Sequence, residues 1–129
     1  MLDAKQMTTI FQRYVEGFER ADAESVIALF ADDATIEDPV GSAAVVGKSA
    51  IADFYNRAIA AQTIMKVRGP IRGAPQGNAL AIVLETWEPT VKGLEVYSRI
   101  DVFRFDDSER IVSRESFCGP DDFLLVTPG

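Results

Sequence analysis

The stretch Tyr97-Ser98-Arg99-Ile100-Asp101-Val102-Phe103-Arg104-Phe105 decides the fold. In an extended chain successive side chains point to opposite faces. Tyr97, Arg99, Asp101, Phe103 and Phe105 therefore share one face, and Val96, Ser98, Ile100 and Val102 share the other. Both faces are rich in apolar groups, so Asp101 is expected to be buried whichever face looks inward. A buried aspartate is costly unless it is paired or protonated, which makes this one a candidate functional group.

Working outward, the pattern predicts strands at about Ile64–Arg72, Ala79–Glu88, Leu94–Asp106 and Arg110–Cys118. The segments between them, Ala74–Asn78, Pro89–Gly93 and Asp106–Glu109, carry turn residues. Upstream the period lengthens to that of helices. Ile10, Phe11, Tyr14, Val15 and Phe18 form one stripe of a helix from Leu2 to about Ala21, with Tyr14 inside the stripe. Asp22 reads as the N-cap of a short helix carrying Val26, Ile27, Leu29 and Phe30, which Asp32 and Asp33 end. Thr35–Asp38 reads as a short strand, and Pro39 favours extended backbone at Asp38. Gly47 to about Ala61 is a third helix with Ile51, Phe54, Tyr55 and Ile59 on one face.

Helices followed by consecutive hairpins describe an α+β domain, an antiparallel sheet with its helices on one face. Strands of this length in a small domain bend. The sheet is expected to curl around the N-terminal helices as a cone with a pocket inside, in one domain over residues 1–129.

Composition narrows the chemistry. There is no histidine, which excludes a Ser-His-Asp triad, a Cys-His pair and an HExxH zinc site. The formal net charge of −7 argues against nucleic acid, whose phosphates need clustered cations. No apolar run is long enough for a bilayer, and MLDAKQMTTIF lacks the basic and apolar regions of a secretory signal, so a cytoplasmic location is expected. Cys118 is the single cysteine and reads as a small wall residue. Val46-Gly47-Lys48-Ser49 ends like a phosphate-binding loop, but Ser42 stands where its first glycine belongs.

Tyr14, Asp38 and Asp101 remain as candidates for acid–base work. Each has a plain structural alternative: a core tyrosine, an Asp-Pro turn, and a partner for Arg99. Their surroundings add a further clue. Arg13-Tyr14, the run Phe30-Ala31-Asp32-Asp33-Ala34-Thr35-Ile36-Glu37-Asp38-Pro39-Val40-Gly41, Gly47-Lys48, Ile51-Ala52-Asp53-Phe54-Tyr55 and Ile100-Asp101-Val102-Phe103-Arg104-Phe105-Asp106 together resemble bacterial ketosteroid isomerase, within the NTF2-like/SnoaL-like superfamily of cone folds. The resemblance runs from the first helix to about Cys118.

The resemblance implies that Asp38 is a general base. It would move a proton from C4 to C6 of a 3-oxo-Δ5-steroid or related enone. Tyr14 and a protonated Asp101 would donate hydrogen bonds to the ketone oxygen as it becomes a dienolate. It places Tyr55, Phe30, Phe54, Arg99, Phe103 and Cys118 around the substrate. It implies a homodimer paired through the outer sheet face, a small apolar partner, and no cofactor or metal. Three residues depart from the family pattern: Phe30 where a supporting tyrosine can stand, Cys118 in place of an aromatic, and Arg99 in place of an apolar wall residue. Because a cation beside Asp101 would oppose a neutral acid, Arg99 is expected to turn toward Glu95 or the pocket mouth. Arg99-Ile100-Asp101 also resembles the Arg-x-Asp of limonene-epoxide hydrolase, which leaves a hydrolase, or a non-catalytic binder of the same fold, as alternatives.

Overall fold

The computed structural model describes residues 1–128. Helix α1 (Ala4–Glu19) starts at a capping box. The Asp3 carboxylate accepts from the Gln6 N–H, and the Gln6 side chain accepts from the Asp3 N–H, so two otherwise orphaned donors are satisfied. Its buried stripe is Met7, Ile10, Phe11, Tyr14 and Gly17. Helix α2 (Ala23–Ile27) is capped by Asp22, which accepts from the N–H and hydroxyl of Ser25. Helix α3 (Lys48–Ala60) buries Ile51 and Tyr55.

The strands are β1 (Phe30–Glu37), β2 (Val45–Val46), β3 (Ile64–Ala74), β4 (Ala79–Thr90), β5 (Gly93–Phe105), β6 (Ile111–Phe117) and β7 (Phe123–Val126). They form one sheet in the order β2-β1-β6-β5-β4-β3, and β7 pairs with the first part of β5. The α+β class and the curled, unclosed sheet agree with the expectation from sequence.

Two details differ from it. Phe30, Asp32 and Asp33 belong to β1 rather than to the end of α2. The Leu29 carbonyl accepts from the Ile111 N–H at 2.8 Å, which draws the chain away from the helix and onto β6. The sheet is also mixed rather than antiparallel, because β1 runs parallel to β6 with Ile36 opposite Arg114. Side-chain alternation reports burial and carries no information on strand direction, so the sequence pattern could not distinguish the two.

Curvature has a local cause in β3, where the register with β4 shifts between Val67 and Ile71. A Cβ added at Gly69 would sit 2.8 Å from the Val83 Cβ, so the close approach of the two strands requires glycine there. Pro70, which lacks an N–H, follows at the same irregularity. The inner face of the sheet packs Leu80, Ile82, Leu84, Phe103 and Phe105 against Phe11 and Tyr14 of α1. No helix among the described residues is long and apolar enough to cross a membrane.

Candidate active site

Strand register assembles the site. β5 and β6 set Asp101 opposite Ser116 and Phe103 opposite Arg114, and β1 sets Ile36 beside Arg114. Asp38 follows the end of β1, and the Val40 N–H donates to the Ser116 carbonyl at 2.8 Å, fixing the chain just after the aspartate. Arg99 lies on the same face of β5 as Asp101. Four charged side chains from two strands and one loop therefore converge.

They form one connected network. Arg114 Nη1 donates to Asp101 Oδ2 at 2.9 Å, and Arg114 Nη2 donates to Asp38 Oδ2 at 2.7 Å. Arg99 Nη1 donates to Asp38 Oδ1 at 3.0 Å and Oδ2 at 3.1 Å, and to Ser116 Oγ at 3.0 Å. The Ser116 hydroxyl in turn donates to Asp101 Oδ1 at 2.5 Å. Two carboxyl groups face two guanidiniums in this cluster. The Nε of both arginines is buried without a partner among the described residues, so each guanidinium binds through its Nη atoms. Arg99 thus turns to Asp38 and Ser116, and not to Glu95 or the mouth.

Burial pushes the Asp38 carboxyl up, but the charges of Arg114 and Arg99 and their hydrogen bonds outweigh it. The net effect holds Asp38 below its ordinary value, and therefore ionised at neutral pH. Beside the network the Tyr14 and Tyr55 hydroxyls share a hydrogen bond of 2.9 Å. Burial pushes Tyr14 up to about 12, against an opposing pull from Arg114, so the phenol keeps its proton at neutral pH. Burial likewise raises Tyr55.

A cavity of about 1010 Å³ opens inside the cone. Tyr14, Asp38, Phe54, Tyr55, Arg99 and Cys118 lie on its wall, together with Arg114. Phe30 and Phe103 do not: both are fully buried beneath the phenols, with Phe103 at 5.1 Å from Tyr14 and Phe30 at 5.3 Å from Tyr55 between ring centroids. Asp101 is 0% exposed, lies behind that wall, and accepts through both of its oxygens. Burial raises the Cys118 thiol, which is the opposite of what a nucleophile needs.

Arg114 and Ser116 were not singled out from sequence. Their one signal was position in a strand neighbouring Asp101. In Ile111-Val112-Ser113-Arg114-Glu115-Ser116-Phe117, however, polar groups occupy both faces, so alternation does not show which of them turns inward.

Comparison with known proteins places this geometry. A family model for the SnoaL-like domain matches residues 11–114. The steroid Delta-isomerase of Nocardioides simplex is 33% identical over 116 residues, covering 90% of this chain and 91% of that protein. Among solved structures, the epoxide hydrolase/cyclase-like enzyme SalBIII, of pyran ring formation in the polyether salinomycin, superposes with a TM-score of 0.91 at 23% identity, covering 98% of this chain and all of that one. A Mycobacterium tuberculosis protein solved with estradiol-17beta-hemisuccinate superposes with a TM-score of 0.85 at 20% identity, covering 93% of this chain and 98% of that one. The two structural likenesses establish the fold alone.

The network gives a stability prediction. Arg114→Met leaves two carboxylates without their shared cation, a loss expected to cost on the order of 3–5 kcal/mol in urea unfolding. Asp38, with its depressed folded-state pKa, contributes stability above its ordinary value of 3.8 and loses it as pH falls through the lower folded value. Removing Arg114 raises that folded value, so acid unfolding should begin at higher pH in the variant. Unchanged unfolding would mean that the network is incidental.

Proposed function

The chain belongs to the SnoaL-like domain family, and from that premise we propose that it is an isomerase of the steroid Δ5-3-ketone type, shifting a double bond into conjugation with a ketone on an apolar, steroid-like skeleton. The observation that carries this reading is the convergence of one ionised carboxylate and one protonated phenol pair on a cavity walled by Phe18, Phe54, Met65 and Phe123. The steroid isomerase relative supports the same substrate class.

The chemistry follows from lone pairs and donors. Asp38 Oδ2 already accepts from both arginines, whereas Oδ1 accepts only from Arg99, which leaves Oδ1 an open site for a proton. That oxygen takes the proton from the carbon between ketone and double bond, then returns it at the far end of the dienolate. One phenol donates to the other, and the second is free to donate to the ketone oxygen as it gains charge. Negative charge leaves Asp38 and appears on the substrate while Arg99 and Arg114 remain fixed, so the site needs little reorganisation. In this reading Asp101 touches no substrate; it holds Arg114 in place, and the oxyanion is served by Tyr14 with Tyr55.

The clamp on Asp38 also favours a second reading, the opening of an epoxide by water or a hydroxyl. A carboxylate made less basic by two guanidiniums is better suited to orienting an O–H than to removing a carbon-bound proton.

The test is turnover of 5-androstene-3,17-dione to its conjugated isomer. Asp38→Asn is expected to lower kcat by on the order of 10²–10⁴ while ligand still binds. The pH–rate profile should be flat through neutrality and fall only below pH 3.8, as Asp38 protonates. Unchanged turnover in Asp38→Asn would reject the base, and opening of an epoxide without isomerisation would select the second reading.

The family resemblance and the outer face of the sheet support a homodimer. Val83, Ile100 and Phe117 stand in register across β4, β5 and β6, with Ile100 47% and Phe117 48% exposed. An apolar patch of this kind is expected to be covered. Sedimentation at micromolar concentration should give a dimer that Ile100→Lys dissociates; a wild-type monomer would refute the pairing.

A further inference from the structure

The charged network and the phenols occupy the end of the cavity nearest α1 and β6. Farther along β4 lies a second polar locus that the proposed reaction does not use. Strand register lines up Met65, Thr86, Tyr97 and Phe123 across β3, β4, β5 and β7, and all four lie on the cavity wall. Three of these side chains are largely apolar. Thr86 is 8% exposed, and its hydroxyl makes no hydrogen bond to any described residue. The only fully buried side-chain nitrogen or oxygen atoms without a partner among the described residues are Nε of Arg99 and Arg114, so the Thr86 hydroxyl is open to the cavity it lines and free to bond a guest there.

Glu88 follows two residues later on the same face and also lines the cavity, with no ion-pair or hydrogen-bond partner among the described residues. The neighbouring Tyr97 hydroxyl is occupied, since it donates to Glu95 at 2.7 Å. The free groups are therefore one hydroxyl that can donate or accept and one carboxylate that only accepts. A substrate hydroxyl matches both: it accepts from Thr86 and donates to Glu88. A ketone uses Thr86 alone and leaves Glu88 unserved, and a carboxylate meets like charge.

The spacing suits a long rigid molecule. Phe103, beneath Tyr14, pairs with Leu80 of β4, and the strand from Leu80 to Thr86 covers about 20 Å at about 3.3 Å per residue. We propose that Thr86 and Glu88 form a subsite for a hydroxyl group at the end of the substrate remote from the ketone, so that the preferred substrate is a keto-alcohol. This inference rests on the isomerase reading for the orientation of the ketone.

Titration calorimetry with three steroid 4-en-3-ones, identical except for a hydroxyl, a ketone or a hydrogen at the ring carbon farthest from the reacting ketone, tests it. Wild type should bind the hydroxyl compound about tenfold more tightly than the hydrogen compound, with the ketone between them. Thr86→Val and Glu88→Met, each close in size to the residue replaced, should each reduce that preference to within about threefold. Equal binding of all three by wild type, or a preference that survives both substitutions, would overturn the subsite and leave the isomerase reading standing. Tightest binding of a fourth probe ending in a carboxylate would also overturn it and make exposed Arg57, across the cavity on α3, the determinant. Failure of every compound to bind would overturn the subsite and the isomerase reading together.

Discussion

Charge compensation in a closed space is the constraint on which the rest of this structure depends. Asp101 is inaccessible to water, Arg114 nearly so, and Asp38 and Arg99 are only slightly exposed. A lone buried charge is expensive, and a buried pair is tolerable only when its hydrogen-bonding capacity is met. Arg114 meets this by bridging both carboxylates, and Ser116 closes the ring between Arg99 and Asp101. The parallel pairing of β1 with β6 is what carries Asp38 to the cluster. Fold and site are therefore one problem: the strand that makes the sheet mixed also delivers Asp38.

The consequences run outward from that ring. In the proposed reaction, a base held ionised by two cations works over a wide pH range at the cost of intrinsic basicity. In that reaction, donors at the substrate oxygen would supply the difference, and two buried phenols held by a shared hydrogen bond can do so without moving. The aromatic residues around them give the rigidity. Tyr14 lies edge-on to Tyr55, Phe103 and Phe30, which limits its ring to one orientation. Phe30 and Phe103 thus pack against the tyrosines and off the cavity wall, although the sequence resemblance places them against the substrate.

Much of this was legible in the sequence because periodicity reports burial. The stripe through Tyr14, the alternation around Asp101 and the helix carrying Tyr55 are each visible as spacing, and the structure buries all three residues. Residue spacing was silent where the outcome depended on partners distant in sequence. Phe30 fits a helix by local pattern, but backbone pairing with Ile111 begins a strand there. Arg99 shares a face with Asp101, which made the two look like a pair. The arginine that reaches Asp101 instead comes from β6, and no local pattern in that strand marks Arg114 as inward-facing. Thr86 was equally hidden, because a threonine in a strand attracts no notice until its neighbours prove unable to bond it.

The claim that most needs testing is the proposal that one carboxylate, Asp38, carries a proton from one substrate carbon to another inside the cavity. A Δ5-3-ketosteroid deuterated at the carbon between ketone and double bond, turned over in ordinary water, reports on this directly. The account predicts that deuterium reappears at the γ-carbon of the conjugated product, because Oδ1 returns the proton it took faster than that proton exchanges with water. Product carrying only solvent hydrogen at that carbon, formed at the full rate, would contradict it.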